Sequence, residues 1–194
     1  MLFCDIIKVP LTIFSMLENP YESIARSFSY SPKALPFEGL ITESTGWKVS
    51  YLSDIFSKTF VGYSSVPFTT DSRFTCKIDF HLTPHPGCVC GFHAYYEKST
   101  AIFNLERWRP LLLLEVEFYG DIIQYSKGLR ASEQVIKSLH LPARCGFGIC
   151  SKTTQGLSKK RKYFRPACSK HLKSDGYSIP ELTMALGVPV AIIK

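Results

Sequence analysis

Six of the seven cysteines in this chain fall into two groups, and each group has a histidine nearby in the sequence. Zinc is usually held in proteins by four Cys or His ligands in a tetrahedron, and two close pairs from separate loops supply that geometry. A chain of 194 residues is long enough to bury a core, so these cysteines do not indicate a small disulfide scaffold. The grouping therefore predicts a folded protein that holds two structural Zn²⁺ ions.

The group nearer the carboxyl end has the clearer spacing, Cys-x4-Cys followed by x17 and then Cys-x2-His. Two glycines between the first two cysteines predict a knuckle-like turn, and the whole spacing is similar to that of a zinc ribbon. Buried free cysteines pack as small apolar side chains, and they do not usually have a histidine three residues away in a lysine-rich stretch. The predicted ligands are Cys145, Cys150, Cys168 and His171.

The other group contains two cysteines separated by one residue, which share a face wherever the backbone is extended. A loop rich in Pro and Gly precedes them and can hold a histidine beside them. The predicted ligands are Cys76, His85, Cys88 and Cys90, with His81 and His93 as alternative nitrogen donors. The alternative interpretation is that the thiols pack in the core and His85 lies on the surface.

Four protein ligands at each site leave no coordination position open for water or substrate, and closed sites of this kind are structural. The sequence contains no zinc-deaminase motif, Gly-rich phosphate loop or dinucleotide fingerprint. We therefore expect a protein that is not an enzyme. The alternative is a small metalloenzyme with one open site at His85, Cys88 and Cys90.

The positive charge is concentrated in one segment. The formal net charge is +7, and residues 144–173 contain nine of the 23 Lys and Arg residues and no Asp or Glu. Cations with aromatic residues among them suit phosphate contact together with base stacking, which predicts binding of DNA or RNA. The alternative is a solvated surface loop. The predicted nucleic-acid-binding residues are Lys159, Lys160, Arg161, Lys162, Tyr163, Phe164 and Arg165.

Alternating apolar residues and turn residues predict a mainly β (α+β) fold, a small mixed or antiparallel sheet with knuckle loops and a short carboxyl-terminal helix. Strands are predicted at 46–52, 58–63, 73–80, 91–96, 111–119 and 121–125, the last two joined by a turn at Gly120. The segment 131–139 fits the helical and strand periods equally poorly. Ser178 and Glu181 predict a capping box, Gly187 the end of that helix, and 188–193 a final strand.

Three parts are expected along the chain: an apolar segment and tether at 1–38, a β-rich body at 39–143, and a basic zinc-ribbon-like module at 144–194. Residues 1–17 are apolar but lack the leading positive charge and uninterrupted core of a secretory signal, and they are too polar to span a membrane. We therefore expect a cytoplasmic, intracellular protein. The segment 1–17 either packs on the body or docks on a protein partner, and docking supports a second hypothesis, an interaction or inhibitor module of a larger, virus- or plasmid-encoded assembly.

The middle of the chain carries the motif Cys88-Val-Cys90-Gly-Phe-His-Ala, the strand Glu115-Val-Glu-Phe-Tyr-Gly and the turn Lys127-Gly-Leu-Arg130-Ala. This pattern, from about 39 to 171, resembles an uncharacterised bacterial and mobile-element family with Cys-x-Cys-Gly-(Ile/Phe)-Tyr-Ala, Glu-Val-x-Leu-Trp-Gly and Gly-Tyr-Arg-Ala-Glu motifs. The chain departs from that pattern by His93 in place of Tyr and by Phe118-Tyr119 in place of Leu-Trp. The family has no known activity, so the resemblance supports metal binding and implies no reaction.

Overall fold

The computed structural model describes residues 44–62, 67–76, 81–88, 90–107, 112–172 and 174–193. The predicted apolar segment and tether at 1–38 lie outside these residues. Within the described part, the chain is mainly β, as the sequence predicts, with eleven strands and two short helices. Their bounds are β1 Ser44–Asp54, β2 Thr59–Val61, β3 Pro67–Phe68, β4 Asp71–Arg73, β5 Phe92–Tyr95, α1 Lys98–Arg107, β6 Leu112–Tyr125, β7 Gly128–Leu141, β8 Gly156–Lys160, β9 Tyr163–Ala167, β10 Tyr177–Ser178, α2 Ile179–Leu186 and β11 Val190–Ile192.

The long strands β6 and β7 form the centre of an eight-stranded sheet. β6 pairs with both β1 and β7, and β7 also pairs with β4, β5 and β11. These pairings are antiparallel except for that between β7 and β11, which is parallel. β7, the segment whose period the sequence leaves ambiguous, is therefore the strand with the most partners in the sheet.

β6 corrects one sequence-based prediction, because the two strands expected at 111–119 and 121–125 are a single strand. The pairing with β7 shifts register between Tyr119 and Ile122, and Gly120 lies in this bulge with φ +72°. A Cβ at position 120 would overlap the Ser132 hydroxyl, which accepts a hydrogen bond from the Asp121 N–H at 3.0 Å. The Gly-Asp pair thus marks a bulge, where one extra residue bends the strand without ending it.

The alternation of side chains along β6 fills two apolar clusters. Leu112, Leu114, Val116 and Phe118 pack into the larger cluster, whereas Leu113 packs into a smaller one with residues of β1 and α1. This follows from the period of two in an extended chain, in which successive side chains point to opposite faces. The sequence does not predict α1, whose apolar residues help to cover the second face.

The segment 144–194 contributes a three-stranded sheet of order β10-β8-β9 and the helix α2. Its buried Leu and Phe residues belong to the same large cluster as the strands of the eight-stranded sheet, and its last strand, β11, joins that sheet beside β7. The segment 144–194 therefore contributes strands to both sheets and side chains to the same apolar cluster as the rest of the described chain. The residues that this segment adds to the cluster include Leu157, Phe164, Leu182 and Leu186.

The carboxyl-terminal helix forms where its caps predict it. The Glu181 carboxylate accepts hydrogen bonds from the Ser178 N–H and hydroxyl, each at 2.7 Å, which satisfies a free donor at the helix start. Gly187 ends the helix with φ +72°. Neither helix in the described part of the chain is long and apolar enough to cross a membrane.

The predicted strand at 73–80 is wrong for residues 74–76. β4 ends at Arg73, and 74–76 have no regular structure, while 77–80 lie outside the described residues. The Phe74 N–H still donates to the Ser132 carbonyl at 2.7 Å, so the chain runs on beside β7 before it leaves the sheet. Leaving the sheet at this point brings the buried Cys76 to the first Cys/His group.

Candidate metal centres and a basic hairpin

The structure brings together the four predicted ligands of the group nearer the carboxyl end. Their potential ligand atoms all lie within 4.8 Å of one another, and we name this set the second cluster: Cys145, Cys150, Cys168 and His171. Sγ of Cys150 and Sγ of Cys168 are 3.8 Å apart, and His171 Nδ1 lies 3.3 and 3.4 Å from the sulfurs of Cys145 and Cys168. Two sulfurs bound to one tetrahedral zinc at about 2.3 Å lie about 3.8 Å apart. The cluster therefore has the dimensions of a tetrahedral Cys₃His metal site.

Backbone contacts hold the second cluster beside the three-stranded sheet. The Cys145 N–H donates to the Lys152 carbonyl at 2.9 Å, and the Gly146 N–H donates to the Pro166 carbonyl at 2.7 Å. Gly148 has φ +62°, the left-handed conformation that glycine favours, and it completes the knuckle between the first two cysteines. β9 ends at residue 167, so the third cysteine follows the strand directly. The second cluster thus closes the open end of the β8–β9 hairpin.

The thiols of the second cluster have different surroundings. Burial raises the pKa of the Cys145 thiol. Burial also acts to raise the pKa of Cys168, but hydrogen bonds from the His171 backbone and imidazole, the Lys170 backbone and the Cys145 thiol outweigh it, and the pKa is lowered to about 6. A thiolate is the form that binds metal, and Cys168 is therefore stabilised in that form before any ion arrives.

The first cluster contains Cys76, His81, Cys88 and Cys90, whose potential ligand atoms also lie within 4.8 Å of one another. Sγ of Cys76 lies 3.9 Å from Sγ of Cys88, and Sγ of Cys90 lies 4.0 Å from Nδ1 of His81. Burial is the main cause that raises the pKa of the Cys88 thiol. These distances are close to those of a tetrahedral site, so this cluster can also hold a metal ion.

The histidine of the first cluster is His81, one of the alternatives that the sequence leaves open, in place of the expected His85. His85 lies beside it, with ring centroids 4.6 Å apart, and its Nδ1 accepts a hydrogen bond from the Gly87 N–H at 3.2 Å. His93 lies in β5 opposite Arg130 and is not part of the cluster. The path of the loop decides which of three nearby histidines meets the sulfurs, and sequence spacing does not encode that path.

Arg130, which the sequence places in the Lys127-Gly-Leu-Arg130-Ala turn without linking it to the cysteines, contacts the loop of the first cluster. It is 4% exposed, and its guanidinium donates to the carbonyls of Cys88, Cys90 and His85 and to the Tyr125 hydroxyl. Three thiolates around one divalent cation leave a net charge of −1, so the buried guanidinium supplies a compensating positive charge as well as the hydrogen bonds. Arg130 therefore positions the loop of the first cluster from a strand of the central sheet.

The cations predicted to bind nucleic acid lie at the tip of the β8–β9 hairpin, which we name the basic hairpin (residues 156–167). The side chains of Lys159, Lys160, Arg161 and Lys162 are exposed, and none of them forms a salt bridge with any described residue. The three ammonium groups lie 5.4 to 5.6 Å from the ring centroids of Phe164, Phe147 and Tyr163. The tip is thus an ordered, positively charged surface. Arg165, the remaining predicted cation, is half-buried in β9.

The two rings predicted to stack on bases are placed differently from the expectation. Phe164 is 4% exposed and belongs to the large apolar cluster, which corrects the prediction for this residue. Tyr163 is half-buried and stacks on Tyr51, with ring centroids 4.6 Å apart and an interplanar angle of 25°. Alternation along β9 explains the first result, because Phe164 faces the core beside Leu157 while its neighbours point away from it.

No protein-family model, curated protein or solved structure matches the chain. The resemblance to a mobile-element family stays a prediction. The docking segment expected at 1–17 lies outside the described residues.

Proposed function

We propose that this chain is a zinc-stabilised nucleic-acid-binding protein whose basic hairpin contacts phosphates. The observation that carries the proposal is the arrangement of the hairpin itself: its tip bears four consecutive exposed cations, and its open end meets the second cluster. Cations held on an ordered turn lose less conformational freedom on binding than cations on an unstructured loop. Phosphate contact releases counterions from the nucleic acid, and this release drives affinity.

Zinc has a structural role in this proposal. Each cluster offers four protein ligands, which is the number that a closed tetrahedral site uses, and neither leaves a position for a substrate. The second cluster holds the knuckle against β9 and so fixes the direction in which the hairpin points. Elemental analysis of the purified protein should therefore find two zinc ions per chain. Neither ion should exchange with added metal while the protein stays folded.

The test of nucleic-acid binding compares the wild type with a variant in which Lys159, Lys160, Arg161 and Lys162 are changed to Ala. Affinity for mixed-sequence DNA and RNA is measured at several salt concentrations. The plot of log K against log salt should flatten by about 0.7 for each lost contact to single strands and by about 0.9 for each lost contact to duplex. The wild type should bind more tightly at low salt, because its positive tip displaces counterions.

A matched control removes four cations elsewhere, by changing Arg73, Lys98, Lys127 and Lys137 to Ala. This variant has the same net charge as the hairpin variant, so a general charge effect would weaken both equally. We expect the control to keep most of the affinity and the salt slope of the wild type. Equal binding by the wild type and the hairpin variant, with unchanged zinc content and melting temperature in both, would contradict the proposal.

A further inference from the structure

The turn between β1 and β2 lies next to the basic hairpin. The pKa of the Asp54 carboxyl is held below its ordinary value mainly by hydrogen bonds from the Ser57 backbone and hydroxyl, and the positive charge of Lys159 adds to this effect. Three residues earlier, Tyr51 stacks on Tyr163 at the start of β9. We name the exposed residues of these two turns the two-turn surface: Phe56, Lys159, Lys160, Arg161 and Lys162.

Phe56 presents an aromatic ring to solvent from an ordered turn. Its side chain is 87% exposed, whereas the preceding residue, Ile55, is buried in the large cluster. Asp54 Oδ1 accepts hydrogen bonds from the Ser57 N–H at 2.7 Å and from the Ser57 hydroxyl at 3.0 Å, and the Lys58 N–H donates to the Ile55 carbonyl at 3.2 Å. The ring is therefore held outward by a fixed backbone, two residues after Asp54, whose carboxyl feels the positive charge of Lys159. The four hairpin cations have no salt-bridge partner among the described residues.

Arg161 occupies a backbone position that glycine would fill at lower energy. Its φ is +58°, in the left-handed region, where a residue with a Cβ is strained by roughly 1 kcal/mol. Lys58 is the other described non-glycine residue with positive φ, and its ammonium lies beside Gly187 at the carboxyl end of α2, a position that the helix dipole favours. Arg161 is the first residue of the two-residue turn between the paired Lys160 and Tyr163, where hairpins usually need a positive φ, and its side chain is exposed there.

We propose that the two-turn surface binds single-stranded nucleic acid, with Phe56 stacked on an unpaired base and the hairpin cations on the flanking phosphates. The faces of bases are hidden inside a duplex, so an exposed ring beside phosphate-binding cations favours a single strand. Phe56 takes the stacking role that the sequence assigns to Tyr163 and Phe164, whose rings are occupied inside the protein. This inference rests on the proposed function and names its substrate class.

The experiment measures the anisotropy of labelled oligothymidylate, oligouridylate and a duplex of matched length with the zinc-loaded full chain. Phe56→Ala should weaken single-strand binding by roughly 5- to 150-fold, which is the effect of losing one base–aromatic stack. The same change should leave duplex binding within about twofold, because a duplex offers no free base face. Phe56→Trp should restore single-strand binding.

Phe103→Ala is the matched control, because Phe103 is also an exposed phenylalanine, at 66%, but lies on α1. We expect it to change no affinity by more than about twofold, as a ring outside the surface makes no stack. Arg161→Gly should keep or raise the melting temperature, because it relieves the left-handed strain. It should also flatten the salt slope for single strands by about 0.7, because one phosphate contact is lost.

The outcomes separate the two proposals. If the wild type binds neither single strands nor duplex, the proposed function itself is overturned. If the wild type binds, but Phe56→Ala binds single strands as tightly as Phe103→Ala does, only the inference about Phe56 and single strands is overturned. If Phe56→Ala lowers the melting temperature, the Phe56→Trp variant decides the question. Failure of Phe56→Trp to restore single-strand binding would also count against the inference.

Discussion

Lys48 is a buried basic residue of β1 in the eight-stranded sheet. Its ammonium donates to Gln134 Oε1 at 2.8 Å and lies 4.2 Å from the ring centroid of Phe68 and 5.2 Å from that of Phe92. No carboxylate of a described residue contacts it. Burial without an acidic partner lowers the pKa of Lys48 from 10.5 to about 7. The core therefore contains an amine that loses its charge near neutral pH.

The charge of Lys48 makes stability depend on pH in a defined direction. Between about pH 7 and 10.5 the unfolded chain binds a proton at this amine and the folded chain does not, so its contribution to the free energy of unfolding rises with pH, by up to about 1.4 kcal/mol per pH unit. Lys48→Met removes this term. We expect the stability of the variant relative to the wild type to be greatest at pH 6 and to fall steadily toward pH 10.

Urea unfolding of both proteins at several pH values measures this difference. Lys137→Met serves as the control, because Lys137 is exposed and pairs with Glu117 at 2.7 Å on the sheet surface. Its difference from the wild type should show no such slope at alkaline pH. A constant difference between Lys48→Met and the wild type from pH 6 to pH 10 would show that Lys48 is not buried as an uncompensated amine.

At the scale of elements, β7 links the central sheet to the loop of the first cluster through Arg130. Outer contacts of this kind orient the ligands of a metal, and their loss typically lowers metal affinity by about 10- to 100-fold. Arg130→Met should weaken zinc binding at the first cluster by that factor. The zinc affinity of Arg130→Lys should lie between those of the wild type and Arg130→Met. Lysine retains the positive charge but lacks the planar guanidinium that reaches several carbonyls.

The second cluster is an internal control for this prediction, since it lies beside the three-stranded sheet and none of the hydrogen bonds of Arg130 reaches it. Competition with a chromogenic chelator resolves the two zinc ions of one chain by affinity. In Arg130→Met, only the zinc affinity of the first cluster should fall. Arg73→Met, which removes an exposed arginine, should change the zinc affinity of neither cluster. An equal fall in the zinc affinity of both clusters would indicate a general loss of folding. It would contradict the positioning role of Arg130.

The helix α2 and the bulge in β6 differ in how well residues close together in the sequence predict them. The cap residues of α2 predict its start and end, because they satisfy free backbone groups with side chains a few residues away. The pair Gly120-Asp121 is ambiguous, because the same residues suit a turn and a bulge, and only the pairing with β7 on both sides of it selects the bulge.

For the molecule as a whole, the two sheets form one apolar core, and this determines how metal removal should act. Zinc that binds only the folded state stabilises it by about 4 kcal/mol when its concentration is 1,000 times the dissociation constant. Adding a chelator should lower the melting temperature by on the order of 10 °C for a chain of this size. Because Leu157 and Leu182 share the core of the large sheet, the apoprotein should still unfold in a single transition.

Calorimetry with and without chelator checks this prediction, and Cys150→Ser, which removes one ligand of the second cluster, gives the matched single-site result. We expect one transition at a lower temperature in each case. Two separated transitions would show that 144–194 unfolds independently. An unchanged melting temperature after full removal of zinc would show that neither cluster stabilises the fold.

The sequence alone determines the candidate donors of the second cluster, the caps of α2, the alternation in β6 and the location of the excess charge. Each of these depends on residues a few positions apart or on their chemical type. The tertiary structure decides that His81, and not His85, joins the first cluster, that Arg130 contacts the loop of that cluster, and that Phe56 is exposed while Phe164 is buried. These facts depend on which segments meet after the chain has folded, and such long-range contacts have no local pattern in the sequence.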